Sequence, residues 1–153
     1  TKIKNTAKAL ILHDDRILML KKQYADRCLY TLAGGSQEPG ESLTEALQRE
    51  CLEEIGTEVS VGPLRYVHEY EKRSAKKPQR IRHKIEFIFE CRVPANYRPV
   101  LGHHPDSHQV ETVWIEQEQL TELRFTPPRL GAILRDAIEH TGGVNLSYLG
   151  MRG

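Results

Sequence analysis

Two strand-like apolar runs open the chain, AKALILH (7–13) and RILMLKK (16–22), and Asp14-Asp15 between them predicts a hairpin turn. YTL (30–32) predicts a short strand that runs into Ala33-Gly34-Gly35. Residues 57–72 read as a strand bent or bulged at Gly62-Pro63. In IRHKIEFIFECRV (81–93) the alternation sets Ile81, His83, Ile85, Phe87, Phe89 and Cys91 on one face. The segment 94–108 is rich in proline and glycine and reads as loop. QVETVWIE (109–116) predicts a late strand, followed by a helical turn over 118–123. Pro127-Pro128 introduces a last helix, whose Leu130, Ile133, Leu134, Ala137 and Ile138 form an amphipathic stripe that ends at Gly142-Gly143. Strands, a helix, more strands and a helix imply a mixed sheet covered by helices, read as a single domain over residues 1–153.

The first helix is the most sharply defined element. Ser42-Leu43-Thr44-Glu45 fits a capping box, and Gly56 stands where a C-terminal glycine belongs, which predicts a helix over 43–55. At about 100° per residue, Leu43, Ala46, Leu47, Cys51 and Ile55 fall on one buried stripe. Glu50, Glu53 and Glu54 fall within an arc of about 100° that borders and overlaps that stripe. A solvated glutamate paired with a basic residue one turn away accounts for Glu53, with Arg49 as partner. It leaves Glu50 and Glu54 unexplained, since like charges against a core repel unless a cation joins them. Carboxylates without histidine or cysteine favour a hard cation, Mg²⁺ or Mn²⁺.

Composition narrows the field without choosing a function. A chain of 153 residues with 28% charged residues and a formal net charge of +1 is long enough for a sizeable core and has no global pull toward nucleic acid or membrane. Cys28, Cys51 and Cys91 are widely spaced, with no C-x-x-C pair, and read as reduced thiols of a cytoplasmic protein. The opening TKIKNTAKALILH has no small-residue cleavage site, and no run approaches the roughly 18 apolar residues of a membrane span.

GSQEPGES (35–42) has the glycine spacing of a phosphate loop, but Glu41 stands where such a loop needs lysine. A carboxylate repels phosphate. Metal ions held by the helix glutamates supply the missing positive charge and bridge protein to phosphate. Gly34 and Gly35 let the backbone bend sharply and approach a ligand.

From Gly35 to Thr57 the chain resembles the Nudix box, G-x5-E-x7-R-E-U-x-E-E-x-G-U with U aliphatic. Every fixed position is met, by Gly35, Glu41, Arg49, Glu50, Glu53, Glu54 and Gly56. The two U positions depart, being Cys51 and Thr57, and Ala33 replaces the proline common before the two glycines. The resemblance implies an α/β/α sandwich with a central mixed sheet and the box as a loop–helix–loop. It implies Mg²⁺- or Mn²⁺-dependent hydrolysis of a nucleoside diphosphate linked to another group, either a nucleoside triphosphate or an ADP-ribose-like compound. Glu50, Glu53 and Glu54 would ligate metal, one of them activating water. Glu41 and the Gly35 carbonyl would be outer ligands, and Arg49 would orient the glutamates. A homodimer also fits the resemblance.

The family often recruits a further carboxylate from outside the box. Glu111 is the first candidate and Asp106 the second. Tyr30 or Tyr66 would stack on a nucleobase, although aromatics in strands usually belong to the core. HHPDSH (103–108) carries three histidines, which read as exposed loop or as a zinc site. KRSAKKPQRIRHK (72–84) carries seven basic residues and no acid. It reads either as a solvated hairpin tip or as a positive lip for a polyphosphate tail or an RNA 5′ end, and on the second reading neutralising Lys76 and Lys77 raises KM. Two alternatives to a small-nucleotide hydrolase therefore stand: an RNA 5′-end pyrophosphohydrolase and a non-catalytic nucleotide sensor.

Overall fold

The computed structural model describes residues 2–74, 76–143 and 145–151. Eight strands, β1 (Ile3–His13), β2 (Arg16–Gln23), β3 (Cys28–Thr31), β4 (Gly34–Ser36), β5 (Ser60–Arg73), β6 (Ile81–Arg92), β7 (Gln109–Glu116) and β8 (Ser147–Leu149), surround two helices, α1 (Leu43–Ile55) and α2 (Leu130–Glu139). A 3₁₀ turn, Gln117–Thr121, links β7 to the segment before α2. The sheet is mixed: β1 runs parallel to β6, β5 runs parallel to β8, and the other ladders are antiparallel.

Local chemistry sets the boundaries. Asp14 and Asp15 both take positive φ, 49° and 63°, the geometry a two-residue hairpin needs. Ser42 and Glu45 satisfy each other's backbone amides at the start of α1, and Gly56 closes the helix in the left-handed region. The bend expected at Gly62-Pro63 is a pair of register shifts between Val61, Leu64 and Tyr66 on β5. Two short strands escape the sequence pattern. β4 is the glycine segment itself, paired with β1, and β8 is a three-residue edge strand paired with β5.

One apolar cluster, with Ala7, Ala9, Ile11, Leu18, Leu20 and Cys91, packs against Leu47, Cys51 and Ile55 of α1. The other, with Leu10, Ile17, Met19, Tyr66, Ile88 and Ile115, packs against Ile133, Leu134 and Ala137 of α2. The sheet is thus covered on both faces, which is the expected sandwich. Full burial of each large side chain contributes about 1.5–3 kcal/mol.

Two features of the sheet create the cleft. β1 and β2 pair only beside their turn, at Leu12↔Ile17 and His13↔Arg16; beyond it they fork, β1 toward β4 and β6, β2 toward β3 and β7. The face under α2 also changes character along its strands. Along this face Leu10 of β1 is followed by Lys8 and Thr6, Ile88 of β6 by Glu86 and Lys84, and Tyr66 of β5 by His68, Tyr70 and Lys72, with Thr6, Glu86 and His68 aligned as one row. β6 therefore departs from the one-sided reading of its sequence. Phe89 and Cys91 do pack on the α1 side, but Glu86 and Ile88 of the other face are the more deeply buried pair of positions at the middle of the strand. Among the described residues no helix is long and apolar enough to cross a membrane.

Candidate active site

The glycine segment fits only because it lacks side chains. Gly34 has φ +137°, and a Cβ there would lie 2.0 Å from the Ala7 carbonyl oxygen of the paired strand. A Cβ on Gly35 would lie 2.4 Å from Cδ of Glu50. The carboxylate of Glu50 therefore rests directly against the backbone of β4, in a cradle that any other residue would fill.

Arg49 organises the acids. Its Nε and Nη2 donate to both oxygens of Glu41 at 2.8 and 2.9 Å, Nη1 donates to Glu50 at 3.0 Å, and Nη2 also reaches the Ser36 carbonyl at 3.2 Å. Glu53, the partner expected from one-turn spacing, lies further off at 3.8 Å. The bidentate partner is instead Glu41, brought back by the loop, and such planar fork contacts are the strong ones. Glu41 also accepts from the Glu38 amide at 2.9 Å. These contacts, the arginine first, hold its carboxyl down at about 2. Glu41 thus serves the loop in this conformation rather than projecting toward a ligand.

Glu54 is the opposite case. Its side chain is buried beneath β4 and accepts from the Gly34 amide at 2.8 Å. Burial pushes its carboxyl up to about 8, against the pull of Lys8 and of that amide. Glu50 is raised too, by burial first, with Arg49 working against it. Backbone contacts fix the end of the helix: Gly102 and His104 donate to the carbonyls of Glu54 and Glu53, and the Gln109 side chain donates to the Glu54 carbonyl.

These side chains form one wall of a cavity of about 300 Å³. Gly34, Gly35 and Glu50 contribute on the acidic side. Lys8, Lys22, Lys72 and Lys84 contribute from four different strands, with Tyr70, Glu86 and Asp106 between them. The lysines at 8 and 22 had no signal in the sequence, since Lys8 lies inside an apolar run and Lys22 sits between Lys21 and Gln23 at the polar end of another. Lys72 and Lys84 belong to the basic segment read as a tip, but register sets them on the cleft face, while Lys76 and Lys77 stand exposed at the tip itself.

The remaining candidates fall elsewhere. Glu111 pairs with Lys21, across β2 from Tyr30, on the sheet face shared with Met19 and Val113. It is exposed, turned away from α1, and does not line the cleft. Asp106 does line it, bonded to Lys22 at 3.1 Å. Tyr30 packs into the α2 core near Phe125, and Tyr66 is buried there with its hydroxyl donating to Asp136 at 2.6 Å. Both belong to the core, and the tyrosine that reaches the cleft is Tyr70. The loop histidines separate: His108 stacks on Tyr24 at 4.3 Å, while His103 and His104 lie together by the end of α1.

Among the described residues no three acidic, histidine or cysteine side chains converge tightly enough to enclose a metal ion. Glu50, Glu53 and Glu54 nonetheless do not scatter into solvent; their side chains are 18%, 34% and, for Glu54 as a whole residue, 2% exposed. The donor chemistry fits a hard divalent cation. The available atoms are carboxylate oxygens, Glu50 is cradled on bare backbone, and both buried acids lack enough positive charge to ionise easily.

The chain matches the NUDIX domain over residues 3–137. It is 30% identical over 131 residues to the NAD-capped RNA hydrolase NudC of Photorhabdus laumondii, covering 86% of this chain and 44% of that protein. The chain thus spans less than half the length of that relative. It is also 30% identical over 121 residues to the CTP pyrophosphohydrolase of Escherichia coli, covering 78% of this chain and 80% of that one. In fold it resembles the mutator MutT protein of Bacillus halodurans, with a TM-score of 0.70 at 19% identity over 95% of this chain and 86% of the other.

Proposed function

This chain belongs to the Nudix family, and on that premise we propose that it is a pyrophosphohydrolase cleaving the diphosphate linkage of a nucleoside diphosphate joined to a second group. The observation that carries this reading is the seating of Glu50 against Gly35, beside Glu54 on the Gly34 amide, at the wall of a lysine-lined cleft. Acid and ammonium groups face one another across a space that suits a phosphate chain.

Glu50, Glu53 and Glu54 would hold Mg²⁺ or Mn²⁺, and Arg49 would keep them oriented. When bound, the divalent cation lowers the pKa of water and neutralises charge on the phosphates. Glu50, the one of the three that lines the cleft, would use its metal-free oxygen to take the proton of the attacking water. The Gly34 amide fixes Glu54, and Lys8, paired with Gly34 across β1 and β4, stands beside the acids to meet the diphosphate. Glu111 and Tyr30 have no part in this reading. A panel of nucleotides assayed with and without Mg²⁺ for released phosphate or nucleotide product tests it. Metal-dependent cleavage of at least one nucleoside triphosphate or nucleoside diphosphate sugar is expected, and inactivity toward all of them overturns the proposal.

A second reading, an RNA 5′-end pyrophosphohydrolase, draws on the likeness to the NAD-capped RNA hydrolase of Photorhabdus and on the exposed Lys76, Lys77 and Arg80. Cleavage of a triphosphorylated oligonucleotide but of no free nucleotide would favour it. A purely sensing domain is disfavoured by the clustered glutamates, which cost stability without a ligand.

A further inference from the structure

The lysines of the cleft are not equivalent. Lys22 is bonded to Asp106 at 3.1 Å, and Lys8 is the charge that most relieves Glu54. Lys72 and Lys84 have no such duty. Among the described residues neither pairs with a carboxylate; Lys84 is half-buried, and burial with the neighbouring lysines pushes it down to about 8, while Lys72 stands exposed at the cleft mouth, near Lys22 and Arg82. Gathering cations in this way costs stability unless an anion joins them.

A second observation comes from the floor of the same face. Thr6 is 3% exposed, lines the cavity, and its Oγ1 has no hydrogen-bond partner. A buried hydroxyl left without a partner is uncommon and marks a place where something else completes it. The cleft offers little for a nucleobase to stack on. Its one aromatic ring, Tyr70, stacks on His68 at 5.0 Å and donates its hydroxyl to Glu86 at 3.3 Å.

We propose that Lys72, Lys84 and the Thr6 hydroxyl form an anion subsite, so that the moiety seated there brings at least one phosphate beyond the two flanking the scissile bond. This rests on the pyrophosphohydrolase reading and sharpens it: a chain of three phosphates is selected over a diphosphate whose second group is a neutral sugar. Lys72 and Lys84 are then specificity-determining residues, and the chemistry remains with α1.

Calorimetry of the metal-free protein with inorganic tripolyphosphate tests the subsite without any turnover. The Lys72→Ala/Lys84→Ala variant should bind at least about tenfold more weakly, the scale of one lost charge-assisted contact. The charge-matched Arg124→Ala/Arg135→Ala variant, altered near α2, should bind as the parent does. Thr6→Val should weaken binding while leaving the denaturation midpoint level or higher. Equal binding by parent and lysine variant, or equal loss in the arginine control, overturns the proposal. A kinetic arm with Mg²⁺ then separates sources. For a free nucleoside triphosphate KM should rise about tenfold in the lysine variant with kcat held, and for ADP-ribose it should not move. If only a triphosphorylated oligonucleotide shows that rise, the phosphate chain belongs to an RNA end. Should the parent cleave nothing, the pyrophosphohydrolase reading falls, while the calorimetry still decides the subsite.

Discussion

The two walls of the cleft are built in opposite ways. The acidic wall comes from one helix and the loop before it, with Glu50, Glu53 and Glu54 set by helical spacing, the first two tied through Arg49 to Glu41 and the third held by the Gly34 amide. The basic wall comes from β1, β2, β5 and β6, residues far apart in the chain that the sheet register aligns. The acids are internally braced: one guanidinium touches three of them. Two of the four ammonium groups are not, and these, Lys72 and Lys84, wait on a partner from outside. A local constellation can thus brace itself in part, while one assembled across strands is left to its ligand. On this view the acidic wall supplies reaction and the basic wall supplies choice of substrate.

Substitution on the acidic wall should separate these roles most strongly. Glu50→Gln or Glu53→Gln should lower kcat at least about 100-fold with the fold intact by circular dichroism, the scale seen when a metal's supporting groups are lost. Affinity of the metal-free protein for tripolyphosphate should hold or tighten, since a negative charge is gone. Parallel loss of both properties would erase the distinction between the walls. Next in size is Gly35→Ala. The new methyl would lie 2.4 Å from Cδ of Glu50, so the carboxylate must leave its cradle. That carboxylate ends a flexible side chain and can swing aside, so the denaturation midpoint should move little while turnover falls; an unchanged rate would show that the cradle is not needed.

pH sharpens the contrast further. Glu54 ionises at about 8 in the folded protein against an ordinary 4.5. Across that window the unfolded chain has already released the proton that the folded chain keeps, so metal-free stability should fall as pH rises and level off above it. Glu54→Gln should flatten that slope in denaturant midpoints; the same slope in both proteins would place its origin elsewhere. On the basic wall the effect is smaller. Lys84 loses its charge as pH passes about 8, so tripolyphosphate affinity should weaken through that point. Lys84→Arg, whose guanidinium stays charged, should carry the affinity to higher pH unchanged. A decline identical in the two proteins would remove Lys84 from the subsite.

Much of the acidic wall was legible because its information is local. The capping box, the apolar stripe and the glutamates lie within one helix whose geometry follows from its own residues, and the box motif carried the family with it. Helix limits and the long strands were read closely for the same reason. The loop tie between Arg49 and Glu41 was not, since one-turn spacing pointed to Glu53, and only the fold returns Glu41 to within 2.8 Å.

Neighbouring residues alone dictate that a short, capped helix presents clustered carboxylates next to a glycine segment. Backbone periodicity and capping are properties of neighbouring residues, and these need no partner to express them. Only the tertiary structure decided what faces that helix. The fork of β1 from β2 opens the cleft, no described residue of α2 lines it, and strand register sets Thr6, Lys72 and Lys84 in that space while leaving Glu111 and Tyr30 outside it. Pairing between strands depends on contacts remote in sequence, so a lysine in an apolar run looks the same whether it meets water or a phosphate.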